Sequence, residues 1–164
     1  MRTPVRAVLA RSLLDRLFDE DPDQRVERIE TRQNQLREAM DGLRRDLEVL
    51  MNTRCCPITP PRGLPELQRS LLTYGISDFV NANLLSREQR ERFARQLESI
   101  VLAFEPRFRS LTVTVLDPRN VVERVLRLRI EAVAVLHEET LPVVLSSELN
   151  PATLRFAVAG DGHV

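Results

Sequence analysis

The chain has 164 residues, 43% hydrophobic and 29% charged, and its 24 basic and 24 acidic side chains balance to a formal net charge of zero. That length suits one domain with a sizeable core, and the balanced charge speaks against a dedicated binder of nucleic acid or of anionic membranes. With no Trp and one Tyr, aromatic platforms for stacking bases or sugars are scarce.

Residues 1–11 carry no clear period and are expected to be flexible. Residues 5–11 are interrupted by arginines where a signal peptide would have its apolar core. Residues 12–18 form a short amphipathic pattern with Leu13, Leu14, Leu17 and Phe18 on one face. A helix that short is marginal alone, so it docks either on its own domain or on a partner. Residues 19–23, Asp-Glu-Asp-Pro-Asp, read as an acidic linker.

A second helix is predicted over residues 31–51. Leu36, Met40, Leu43, Leu47 and Leu50 are spaced four, three, four and three, a stripe suited to packing on a sheet. Gly42 lies off that stripe and weakens the helix. Asn52 suits a left-handed C-terminal cap. Cys55 and Cys56, the only cysteines, are adjacent, which fits neither a disulfide framework nor a CxxC half-site and points to a reducing compartment. Residues 55–65 hold four prolines and read as a constrained, irregular connection. One or two helical turns follow over 67–72, broken at Tyr74-Gly75, where Gly75 takes a conformation other residues avoid.

The central helix starts at Ser86, a capping residue, with Gln89 three positions on to complete a capping box. Phe93, Leu97, Ile100, Val101 and Phe104 share one face. Pro106 ends the run, since its ring disfavours helical geometry at Glu105. Glu105 is then a carboxylate at the negative end of a helix, where the macrodipole opposes it by ~0.3–1 kcal/mol. It needs a partner, either Arg107 or a group on another chain. Residues 111–116 alternate as a strand, and 117–120 turn. Residues 125–136 form a long strand with Leu126, Leu128, Ile130 and Ala132 inward and Arg127, Arg129 and Glu131 outward. A third strand is predicted over 143–149 with Pro142 at its start, and a fourth over 154–159.

The plan is an α+β fold: N-terminal helices packed on one face of a four-stranded, mainly antiparallel β-meander. Residues 1–22 form a flexible segment with the short docking helix, 23–160 a single domain, and 161–164 a tail.

Catalytic signals are weak. Glu105 and Asp117 are a carboxylate pair of the kind a glycosidase uses, which keeps a lysozyme-like peptidoglycan hydrolase as the alternative function. The aromatics that line sugar clefts are missing. His137 and His163 lack convergent ligands, so no metal or cofactor is expected, and no HExxH, G-x-S-x-G, P-loop or dinucleotide fingerprint occurs. No run is long and apolar enough to span a membrane, and a cytoplasmic protein is expected. All 24 basic residues are Arg; a GC-rich coding sequence explains this, and so does an interface exploiting the bidentate, weakly hydrated guanidinium. The residues favour an interaction module with an exposed sheet edge and an Arg/Glu surface.

Four segments taken in order carry a resemblance: residues 12–17, Ser-Leu-Leu-Asp-Arg-Leu; 46–54, Asp-Leu-Glu-Val-Leu-Met-Asn-Thr-Arg; 74–78, Tyr-Gly-Ile-Ser-Asp; and 104–107, Phe-Glu-Pro-Arg. Together they resemble the type VI secretion baseplate subunit family TssE, related to a phage tail baseplate wedge protein with a lysozyme-like label, over about residues 12–159. Met51 and Phe108 stand where the family is expected to have Leu. The resemblance implies a non-catalytic structural part of a contractile injection machine, in a cytoplasmic baseplate docked at the inner membrane. It implies that the chain joins the wedge subunits TssF and TssG and offers TssB/TssC sheath strands a sheet to continue. TssK and the spike or hub are further candidate contacts, with no nucleic acid and no membrane insertion. By the same resemblance Glu105, Pro106 and Arg107 contact the wedge, with Leu13, Leu14 and Leu17 as a second contact. Against that stands a local reading of the Glu-Pro-Arg segment, in which Glu105 and Arg107 clamp the helix–strand corner.

Overall fold

The computed structural model describes Leu17 and residues 31–61, 63–76, 86–116, 125–136, 139–150 and 153–160. Helix α1 spans Arg32–Asn52 and helix α2 Arg87–Phe104, with two short 3-10 turns, Leu67–Arg69 and Leu71–Thr73, between them. Strands β1 (Phe108–Leu116), β2 (Leu126–Leu136), β3 (Glu139–Asn150) and β4 (Arg155–Gly160) follow. They pair antiparallel in the order β1-β2-β3-β4. The predicted α+β meander is the observed fold.

Both helix starts obey the capping rule. Thr31 Oγ1 accepts from the Asn34 amide and Ser86 Oγ from the Gln89 amide. The second half of the box at Ser86 is not made: Gln89 Oε1 is buried with no partner among the described residues. The apolar stripe of α1 buries Leu43, Leu47 and Leu50, as the spacing predicts, but Ala39, Gly42 and Met51 are buried too. Gly42 therefore lies on the packed face and not off it.

The core lies between the helices and one face of the sheet. Phe93, Leu97 and Val101 of α2 and Leu47 and Met51 of α1 meet Leu128, Ile130, Val143, Leu145 and Phe156. Phe93 stacks on Phe156 with centroids 6.1 Å apart and rings nearly parallel. Each such side chain contributes ~1.5–3 kcal/mol on burial. The opposite face of the sheet is wet and carries the predicted Arg/Glu surface, including a cross-strand Arg127–Glu148 pair at 2.8 Å.

Three element boundaries differ from the expectation in ways that bear on the packing. Strand β1 begins at Phe108, three residues early, because the Arg107 carbonyl already accepts from the Val135 amide at 2.7 Å. A register irregularity between Phe108 and Ser110 absorbs the corner. Strand β3 begins at Glu139, so Pro142 lies inside it. The register explains why Pro142 is tolerated. The Phe156 amide and carbonyl face away from β3, towards α1, so alternation aims the even-numbered backbone groups of β3 at β4. Strand β4 stops at Gly160, opposite Leu145. The missing amide of Pro142 thus falls beyond the reach of β4 and no ladder bond is lost.

The third difference is at Asn52. It is the last helical residue, and the cap is Thr53 in an extended conformation, φ −88° and ψ 133°. The Asn52 side chain is used across the fold instead: Nδ2 donates to the Phe156 carbonyl at 2.9 Å and Oδ1 accepts from the Phe156 amide at 2.8 Å. One and two turns earlier on the same helix face, Glu48 Oε2 accepts from the Val158 amide at 3.4 Å and Arg44 Nη1 donates to the Val158 carbonyl at 3.0 Å. Side chains spaced four apart on α1 thereby stand in for a fifth strand along β4.

Candidate functional site

The corner between α2 and β1 is a β-turn. Glu105 caps the helix, its carbonyl accepts from the Phe108 amide at 3.2 Å, and Pro106 occupies the second position, where its fixed φ is suited. Pro106 is exposed, Arg107 half-buried and Glu105 buried, at 7% residual exposure. Glu105 has its partner inside the chain. Its Oε1 accepts from the Arg107 amide at 3.1 Å and from Arg107 Nε at 2.7 Å, and its Oε2 accepts from Nη2 at 2.6 Å. The planar fork of the guanidinium matches both carboxylate oxygens, a geometry an ammonium cannot reproduce.

Arg107 Nη2 also donates to Asp46 Oδ2 on α1 at 2.5 Å. One guanidinium thus ties the end of α2 to the middle of α1 across 61 residues of sequence. These bonds, those to Glu105 first, push the Arg107 guanidinium still higher than its ordinary value despite its partial burial.

Tyr74 completes the cluster. Its ring meets Phe104 edge-on, with centroids 5.3 Å apart. Burial raises its phenol above the ordinary value, and the charges of Asp46 and Glu105 raise it further. Tyr74 is held there by the chain that leaves α1. The Ile76 amide donates to the Thr53 carbonyl at 2.8 Å and the Cys55 amide to the Ile76 carbonyl at 3.1 Å, around a parallel bridge between Arg54 and Ile76. Gly75 sits in this crossing at φ +101°, and a Cβ there would lie 2.5 Å from the Thr53 carbonyl oxygen. The expected special conformation at Gly75 is therefore real, and close approach adds a second reason for glycine.

Three of the four segments that carry the resemblance converge here: Asp46 from α1, Tyr74-Gly75, and Glu105-Pro106-Arg107. Sequence reasoning picked out the last three residues but missed Asp46 and Tyr74, whose only signal was their place within the other segments. Leu13 and Leu14 lie outside the described residues; Leu17 is in a turn and 81% exposed. Asp117, the second carboxylate of the hydrolase alternative, also lies outside them. Glu105 spends both oxygens on Arg107, so it can meet a sugar only by giving up that fork. Among the described residues no cluster of His, Cys, Asp or Glu could hold a metal ion, and no helix is long and apolar enough to cross a membrane.

Exposed apolar side chains lie beside the cluster. Val49, 59% exposed, is three residues beyond Asp46 on α1, and Leu102, 41% exposed, is three residues before Glu105 on α2. Exposed Pro106, half-buried Arg107 and an exposed apolar residue three positions from Asp46 and from Glu105 give this region the composition of a protein-contact surface.

No curated protein matches the chain. A family model for baseplate wedge protein gp25 matches residues 37–139, more than half of the chain, and spans every member of the Asp46–Tyr74–Glu105–Arg107 cluster. The chain belongs to the baseplate wedge gp25 family, which is also the family of TssE.

Proposed function

We propose that this protein is a non-catalytic structural subunit of a type VI secretion baseplate, working in the cytoplasm in a baseplate docked at the inner membrane. It joins the wedge subunits TssF and TssG, stands near TssK and the spike or hub, and starts the sheath by letting TssB/TssC strands continue its sheet. The observation that carries this reading is the convergence of separate family segments on one corner of a family-matched fold. In it, Glu105 and Asp46 hold Arg107 in place, and Pro106 with the outward side of Arg107 meets the wedge. Leu13, Leu14 and Leu17 form a second contact.

Co-expression and pull-down with TssF and TssG test the reading, at a temperature where each variant is folded. Wild-type protein is expected to retain both subunits, and Arg107→Lys to retain less, because a buried interfacial charge contact is worth ~2–5 kcal/mol. Failure of the wild-type chain to retain either subunit sinks the proposal. A turbidity assay on purified cell walls tests the non-catalytic part: lysis by the wild type that Glu105→Gln abolishes would mark it as a hydrolase.

A further inference from the structure

The sheet offers an incoming strand few places to pair. Along β4 the outward groups of Phe156 and Val158 are taken by Asn52, Glu48 and Arg44. Where β3 runs past the end of β4, Pro142 stands at an outward position and has no amide to give. Strand β1 is different. Glu98 Oε1 accepts from the Val113 amide at 2.7 Å, so Val113 faces outward, away from β2. Alternation then turns the backbone groups of Leu111 and Val115 outward as well, and β2 pairs with β1 on the other side as far as Leu116↔Arg127. Val115 therefore presents an amide and a carbonyl at an edge that no described strand covers.

That edge forms one wall of a groove of about 280 Å³, whose other wall is the first half of α2, with Arg87, Arg90 and Arg95 along it. Glu91 answers Arg87 at 2.9 Å. Arg90 has no such answer: its Nε is buried without a hydrogen-bond partner among the described residues. A cationic donor removed from water with no acceptor is unfavourable and stands ready for an anion. Beside it, Arg95 adds a second positive charge to the same wall.

We propose that this groove takes an acidic, extended segment of a partner protein, which adds to the sheet at Val115, beyond the Val113 amide that Glu98 already holds, and places a carboxylate on Arg90. Main-chain bonds to Val115 supply the pairing, and the arginines select the sequence. The inference rests on the strand-addition part of the proposed function and names the edge and the chemistry of the added strand.

The probe is a dye-labelled, end-capped peptide of alternating Val and Glu, titrated with the full chain and followed by fluorescence anisotropy. It is expected to bind, to bind more weakly as salt rises, and to bind at least roughly tenfold better than a Val/Lys counterpart. Arg90→Gln is expected to weaken binding by roughly tenfold. Val115→Pro is expected to abolish it without unfolding the sheet, since the lost amide faces away from β2. Equal binding of both peptides, or wild-type binding by Val115→Pro, overturns the proposal.

Two other occupants have their own signatures, and either overturns it. A rise in peptide affinity on replacing Asp19, Glu20, Asp21 and Asp23 by their amides identifies the acidic run of this chain as the resident ligand. A dimer in sedimentation that Val115→Pro dissociates identifies a second copy. The wedge pull-down separates the two levels: TssF and TssG retained by a chain that ignores the acidic peptide refutes the groove while the baseplate reading stands.

Discussion

Asn52 at the end of α1 and Phe156 in β4, 104 residues apart in sequence, exchange two hydrogen bonds through the side-chain amide of one and the backbone of the other. The carboxamide has the donor and acceptor of a peptide group, so it pairs with the edge as a neighbouring strand would. Asn52→Leu leaves the Phe156 amide and carbonyl without those partners and is expected to lower stability by ~1–3 kcal/mol in urea denaturation. Hydrogen exchange localises the effect: the Phe156 amide is expected to lose protection, and unchanged protection there would contradict the pairing.

Arg107→Ala strands the Glu105 carboxylate in a site where its side chain is 9% exposed. The expected loss is ~2–4 kcal/mol, more than the ~0–1 kcal/mol of a surface pair. Arg107→Lys recovers the charge but not the fork and is expected to fall between the two. Thermal melts decide it: an Arg107→Ala protein that melts like wild type would show that the corner does not depend on this pair.

Tyr74 is the sole tyrosine in a chain without tryptophan, so its phenolate absorbance can be read without interference. The folded protein is expected to titrate above the ordinary value of about 10, because burial first, then Asp46 and Glu105, disfavour the phenolate. The folded state therefore prefers the protonated form. The stability this contributes is fully present below about pH 10 and is lost as pH rises through the folded-state value. Asp46→Asn is expected to bring the titration part of the way back and denaturant to bring it fully back. Titration of the folded protein at the denatured-state value would refute the placement.

Gly75→Ala is expected to cost more than ~2 kcal/mol, combining a disfavoured positive φ with a clash against the Thr53 carbonyl. Gly63, with open space where a Cβ would go, is the control, and Gly63→Ala is expected to stay near wild type in the same chemical denaturation series. Equal stabilities for the two variants would mean that the Thr53–Gly75 crossing is not maintained in solution.

The element order was legible in the sequence because each element follows from neighbours in the chain. The spacing from Leu36 to Leu50 makes α1, Ser86 and Pro106 bracket α2, and alternation from Leu126 to Ala132 makes β2 with one buried face. Local rules erred where tertiary packing set a residue's surroundings. Asn52 has the composition of a cap, but Phe156 claims its side chain; Gln89 fits a capping box, but its oxygen is buried without a partner among the described residues.

The same division holds at the candidate site. The sequence alone determined that Glu105 is a carboxylate at a helix end, that Pro106 turns the chain there, and that Arg107 stands within reach, since all three follow from bonding over two or three residues. Only the tertiary structure decided that Arg107 closes on Glu105 and Asp46 together, that Tyr74 lies in their field, and that α1 shuts the β4 edge while no described strand covers the outer side of β1. Those outcomes depend on how α1 and α2 settle on the sheet. Burial across the whole core sets that docking, and no spacing within a single segment encodes it.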